Sequence, residues 1–126
     1  MVIDDLTKEV IGAAFRVYNS LGSGFLESVY EKSMMHELTK LCIPAVSQKA
    51  IKVVYDGVVV GDFYADILVE NRLIVELKVI QNICTANEVQ LVNYLKATGI
   101  DHGLLINFGP EIIIKRKFRT YKKSLN

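Results

Sequence analysis

The chain has 126 residues, a formal net charge of +1, 51% apolar and 23% charged residues, two prolines and eight glycines. That is enough chain for one domain with its own core and no disordered signature, and the near-neutral charge is not that of a strongly nucleic-acid-binding domain. No run approaches the ~18 consecutive apolar residues of a membrane span, the N-terminus lacks the basic-then-apolar form of a signal peptide, and Cys42 and Cys84 form no Cys/His cluster, which argues against zinc and redox chemistry.

The expectation is therefore a cytoplasmic protein, residues 1–126 forming a single domain without membrane association, its two thiols reduced and packed. Residues 4–20 carry Leu6, Val10, Ala13, Ala14, Val17 and Tyr18 at helical spacing, with Asp4 and Asp5 suited to the helix N-terminus. Gly22 and Gly24 supply the reversal, and a second helix is expected over 26–41. Glu27, Tyr30 and Glu31 form one stripe near its start. A first-turn glutamate is favoured by the helix dipole alone; the functional reading makes Glu27 a third carboxylate beside the acids described below. His36, further along, reads as an ordinary partly exposed helix residue.

From Ala45 the pattern turns to strand. Asp56-Gly57 marks a tight turn, and Gly61 marks a bend or bulge on the way into the strand containing Asp66. After Lys78 a helix is expected from Thr85, with Glu88 three residues on as a capping box, ending at Thr98-Gly99; Gln90 and Tyr94 lie four apart on one of its faces. Residues 103–108 read as a buried strand, Gly109-Pro110 as a turn and 112–114 as a last strand. That strand enters a segment with six basic residues (Lys115, Arg116, Lys117, Arg119, Lys122, Lys123) against the single acid Glu111, which reads either as a solvated tail or as a phosphate-contacting patch. The order α-α-β-β-β-α-β-β, with a helix between the third and fourth strands, allows a parallel crossover and implies an α/β (α+β) chain, a mixed β-sheet flanked by helices.

Ala65 to Lys78 is the stretch with chemistry. Two apolar strands flank Glu70-Asn71-Arg72, and alternation puts Glu76 and Lys78 on one face with Val75, Leu77 and Val79 on the other. A two-residue loop would turn Asp66 away from Glu76; a three-residue loop or a bulge would bring all three charges to one face. The odd loop is expected, because asparagine tolerates the left-handed backbone it needs. Asp and Glu oxygens suit Mg²⁺ or Mn²⁺, and an adjacent lysine can orient a water or offset charge on phosphoryl oxygens. The plain alternative is a wet hairpin face with a surface ion pair of little energetic weight.

Several of these motifs together resemble the GxxExxY proteins: Gly24-Phe25-Leu26-Glu27-Ser28-Val29-Tyr30, then Tyr64-Ala65-Asp66 with Ile74-Val75-Glu76-Leu77-Lys78, Gln90 with Tyr94-Leu95, and Leu105-Ile106-Asn107-Phe108. The resemblance spans roughly residues 6–119. It implies the PD-(D/E)xK nuclease superfamily and a restriction-endonuclease-like core. It further implies Asp66 and Glu76 as metal-binding acids, Lys78 as the catalytic lysine, Glu27 as the helix glutamate completing the acidic site, and Gln90 with Tyr94 as a helical Gln-x-x-x-Tyr element. Ala65 stands where that superfamily's proline would precede the aspartate; its replacement leaves the ligands intact.

The function expected on this basis is Mg²⁺-dependent phosphodiester hydrolysis, with Mn²⁺ able to substitute and DNA rather than RNA as substrate. Asp66, Glu76 and the Leu77 carbonyl would hold the ion, and Glu27 would complete the shell directly or through water. The alternative is a catalytically inactive module of the same fold that binds nucleic acid or a protein partner. A homodimer would suit cleavage of both strands of a duplex.

Overall fold

The computed structural model describes residues 1–120. Three helices and five strands follow in the expected order: α1 Ile3–Leu21, α2 Glu27–Lys40, β1 Ala45–Tyr55, β2 Val58–Val69, β3 Leu73–Lys78, α3 Thr85–Thr98, β4 His102–Phe108 and β5 Ile112–Phe118. The sheet runs β1-β2-β3-β4-β5. Neighbours are antiparallel except β3 and β4, which are parallel because α3 carries the chain across the sheet between them. This is an α+β fold with a mixed sheet flanked by helices. No described helix is long and apolar enough to cross a membrane.

The sheet separates two apolar layers. On one face Leu6, Val10, Ala13 and Val17 of α1 and Tyr30, Met34 and Leu38 of α2 pack on Ile67, Val69, Leu73, Val75, Leu77, Leu104 and Ile106. On the other, Leu91, Tyr94 and Leu95 of α3 pack on Ile51, Ala65, Leu68, Ile74 and Leu105. β3 and β4, covered on both faces, consequently read as near-continuous apolar runs. Each fully buried leucine in these layers contributes about 1.5–3 kcal/mol.

Two turns set the register. Asp56 (φ 52°) and Gly57 (φ 76°) both adopt the left-handed conformation that a two-residue hairpin turn requires. The register then shifts, Val53 pairing with Gly61 but Val54 with Val59, so the bulge expected at Gly61 is present. Between β2 and β3 the pairs Val69–Leu73, Leu68–Ile74 and Ile67–Val75 enclose the three-residue loop Glu70-Asn71-Arg72, with Glu70 (φ 51°) and Asn71 (φ 57°) left-handed.

Three expectations need correction. The cap of α3 is Cys84, not Thr85: the Asn87 side chain accepts from the Cys84 backbone N–H at 3.0 Å, while Glu88 instead forms ion pairs with Lys117 and Lys115 of β5. Both cysteines are exposed rather than packed, since Cys42 sits in the left-handed turn after α2 and Cys84 at a helix end. The described part of the basic segment is not a solvated tail: residues 112–118 form strand β5, in which Arg116 pairs with Asp4 at 2.7 Å, and Arg119 just beyond it pairs with Asp101 at 2.9 Å. Lys122 and Lys123 lie outside the described residues.

Candidate active site

The site forms where β2 parts from both of its neighbours. Ser47 pairs with Ile67 and Lys49 with Ala65, but Gln48 and Asp66 between them are unpaired, and Gln48 is left-handed at φ 53°. Ala65 packs in the α3 layer, whereas Ile67 and Val69 pack in the α1/α2 layer, although strict alternation would put all three on one face. The strand therefore twists at Asp66. The backbone ladder with β3 also ends there, its last pair being Ile67–Val75.

Side chains take over where the ladder stops. The Asp66 backbone N–H donates to Glu76 Oε1 at 3.0 Å, and the Leu77 N–H donates to Asp66 Oδ2 at 2.7 Å. Each acid thereby satisfies a main-chain donor on the opposite strand, which buried or half-buried backbone requires. The three-residue loop makes this possible, because it sets Asp66 across from Glu76.

Glu76 is 5% exposed. Burial, and next the neighbouring Asp66 charge, push its carboxyl up to about 8, against smaller lowering effects from the Asp66 N–H and Lys78. Lys78, two residues on, is half-buried at the end of β3. Its position is fixed by Asn107, the residue paired with it on β4, whose side chain accepts from the Ile80 N–H at 3.0 Å and donates to the Ile80 carbonyl at 2.8 Å. A single buried amide thus holds the chain just beyond the lysine.

Glu27 enters from α2. Gly24 adopts φ 107° at the reversal, and the buried Tyr30 stacks on Phe108 with ring centroids 4.4 Å apart. The Tyr30 hydroxyl donates to the Gly22 carbonyl at 2.6 Å and accepts from the Phe25 N–H at 3.3 Å. The tyrosine therefore locks both the loop and the first turn of α2, three residues from Glu27. Burial and then Asp66 raise the Glu27 carboxyl, with Lys78 opposing them. Asp66, Glu76, Lys78 and Glu27 accordingly share one electrostatic neighbourhood.

Tyr94 reaches it from α3. It is 7% exposed, its ring packs on Phe63 at 5.6 Å, and burial followed by the Glu76 and Asp66 charges raises its phenol. Gln90 lines the adjoining groove beside Tyr94; among the described residues no hydrogen bond joins it to either acid. Two further residues belong here that the sequence reading left aside. Gln48 donates to Glu31 Oε1 at 2.6 Å and, more weakly, to Asp66 Oδ1 at 3.4 Å, linking a second α2 glutamate to the site. The available signal was that Glu31 follows Glu27 by four residues, on the same helix face.

The donor set suits a small divalent cation. Two adjacent hard carboxylates of like charge, one of them buried, are what such an ion stabilises. Among the described residues no three His, Cys, Asp or Glu side chains gather as a ready-made metal cluster. The fit is thus to a pair of acids supplemented by backbone carbonyl and water, a usual arrangement for Mg²⁺.

The comparisons with known proteins bear on the family and the fold. The sequence pattern of the PD-(D/E)XK nuclease superfamily matches residues 4–120. A crystal structure described as that of SSO0001 superposes with a TM-score of 0.57 at 15% identity, over 76% of this chain and 52% of that one. This chain thus spans about half the length of that protein, and the likeness is one of fold. No curated protein matches the sequence. A match over residues 4–120, on a restriction-endonuclease-like sheet with Asp66 set against Glu76, places the chain in the PD-(D/E)XK nuclease superfamily.

Proposed function

We propose that this protein is a metal-dependent nuclease that hydrolyses phosphodiester bonds in DNA, using Mg²⁺ with Mn²⁺ able to substitute. The observation that carries the reading is the exchange between Asp66 and Glu76, with Lys78 two residues beyond. Asp66, Glu76 and the Leu77 carbonyl would hold the ion. When bound, it supplies a Lewis acid for the phosphoryl oxygens and an acidified water.

The chain's own residues do the rest. The Lys78 ammonium orients the attacking water and offsets negative charge gathering on the phosphate. Glu27, with its raised carboxyl beside Asp66 and Lys78, holds water at the edge of the site. Tyr94 keeps its phenolic proton, since its ionisation is shifted upward, and acts as a hydrogen-bond donor rather than a base. Gln90 orients groups from the same helix. Preference for DNA follows the family resemblance, and such a substrate is met in the cytoplasm.

The test is cleavage of labelled single- and double-stranded DNA and RNA with Mg²⁺, Mn²⁺ or chelator. Metal-dependent cleavage of DNA that disappears in Lys78→Ala is expected; no cleavage of any substrate with any metal contradicts the proposal. A second reading, a catalytically silent module binding nucleic acid or protein, draws support from the lack of a three-residue metal cluster among the described residues. Calorimetric titration with Mn²⁺ separates the two, because the silent module has no need to bind the ion.

A further inference from the structure

Beside the acids, on the α3 side of the sheet, lies a groove that no step at the acids requires. Phe63 and Tyr94 line it together with Val89, Gln90, Asn93 and Lys96, and its volume of about 590 Å³ is that of a small-ligand site. Tyr94 joins it to the candidate site, since burial and then the Glu76 and Asp66 charges raise its phenol. Phe63 stands three residues before Asp66 on β2, about 10 Å away at the rise of an extended strand.

Phe63 is placed as a platform. Alternation puts it on the same face of β2 as Gly61, and a Cβ on Gly61 would meet Phe63 Cε2 at 2.8 Å, so the ring lies over a position where any side chain would displace it. The Tyr94 ring flanks it, with centroids 5.6 Å apart and planes inclined at 42°. Supported on these two sides, the Phe63 side chain is still 41% exposed, and Val89 on the α3 wall is 51% exposed. Scattered exposed apolar residues are ordinary, but these two share one groove next to the acids.

We infer that the groove seats an unpaired nucleobase of single-stranded DNA, stacked on Phe63, next to the phosphate to be cut at Asp66 and Glu76. The identity of the strand rests on the nuclease reading. Three features select this occupant. An aromatic face left open beside a phosphodiester site meets what every base offers, a π-face, and stacking is the usual means of holding an unpaired strand. Besides the Tyr94 phenol, the polar groups of the groove are the Gln90 and Asn93 amides, which can donate to and accept from the edge of a base, and Lys96, which can meet a phosphate; among the described residues no carboxylate lines it. Finally, with a net charge of +1 the chain gains little from counterion release on a duplex backbone, so base contacts must supply affinity. Within a duplex the faces of a base are covered by its stacked neighbours and stay out of reach of the ring.

The experiment is an abasic scan: single-stranded DNA oligonucleotides of one sequence, each lacking a single base, are cut by the wild-type chain with Mg²⁺ beside the blunt duplex of that sequence. One abasic position near the cut should lower kcat/KM by roughly 5- to 100-fold, the worth of one stacked base, and the duplex should be cut more slowly than the single strand by a similar factor. Phe63→Leu should show the same loss on the complete strand and no further loss at that abasic position, while Phe63→Tyr, which keeps the ring, retains wild-type cleavage. The scan uses the unaltered chain, so it stands even where Phe63→Leu fails to fold. A scan in which no position matters, or a duplex cut as fast as the single strand, overturns the inference and leaves the nuclease reading intact. If no substrate is cut, the nuclease reading fails instead, and the groove is read by binding in chelator of a single strand carrying a fluorescent adenine analogue. Quenching by wild type and not by Phe63→Leu supports the seat; no quenching by wild type overturns it.

Discussion

Asp66 and Glu76 are joined by reciprocal use of side chain and main chain: the Asp66 N–H donates to Glu76 Oε1, while Asp66 Oδ2 accepts the N–H of Leu77 next to Glu76. The link closes the gap left where β2 and β3 separate, and it does so with two acids whose charged forms repel each other. Structure and charge repulsion therefore oppose each other at one point.

A pH dependence follows from that opposition. The Glu76 carboxyl titrates near 8 in the folded chain against an ordinary value of 4.5, so the folded state binds its proton more tightly than the unfolded state does. Its stabilising contribution is complete below 4.5 and is lost as pH rises through 8. Without metal, the thermal midpoint of wild type minus that of Glu76→Gln should fall steadily across this window. A pH-independent difference by calorimetry would contradict the assignment.

Glu76 and Lys78 differ in what their removal costs. Lys78→Ala should abolish metal-dependent cleavage with little change in thermal midpoint, because among the described residues the ammonium makes no main-chain hydrogen bond. Glu76→Ala strips the Asp66 N–H of its acceptor and should also destabilise the fold by about 1–3 kcal/mol. Glu76→Gln keeps an acceptor, and is expected to lose activity while keeping most of the stability. Activity and urea denaturation of the three variants read both effects.

Tyr30 connects fold and site. Tyr30→Phe preserves the stack on Phe108 but leaves the Gly22 carbonyl and Phe25 N–H without their partner, at about 1–2 kcal/mol. Tyr30→Ala removes the ring as well, at about 3–5 kcal/mol. In the Phe variant the start of α2 is freed, so activity should fall more than the stability loss explains. Equal retention of activity would separate Glu27 from the site.

Gly109 is similarly placed near Lys78. A Cβ there would meet the Ile80 carbonyl at 2.5 Å and the Asn107 amide nitrogen at 2.8 Å, the same atoms that fasten the chain beyond β3. Gly109→Ala should destabilise by about 1–3 kcal/mol through overpacking. Denaturant unfolding tests this, and an unchanged midpoint would show that the Asn107 clamp yields readily.

The sequence revealed most where local chemistry decides structure. Asp56-Gly57 and Asn71 announced their turns because each of these positions takes a left-handed backbone, Gly61 marked the bulge beside it, and the odd loop carried Asp66 across from Glu76. What stayed hidden depends on contacts far apart in the chain. Gln48 adopts a left-handed backbone only because β1 and β2 twist together at Asp66, and its bonds span 17 and 18 residues. Cys84 caps α3 because Asn87 turns back to it, while Glu88 is drawn off by β5. The exposure of Val58, Val59 and Val60 likewise stayed hidden, since it depends on where α3 packs, on Ile51, Ala65 and Leu68.

Anomalous scattering from crystals soaked in Mn²⁺ tests the proposed metal site most directly. One peak within coordination distance of Asp66 and Glu76, absent from Glu76→Gln crystals, is the predicted result. No peak at these acids in the wild-type protein, or a peak that survives the Glu76→Gln substitution, would contradict it.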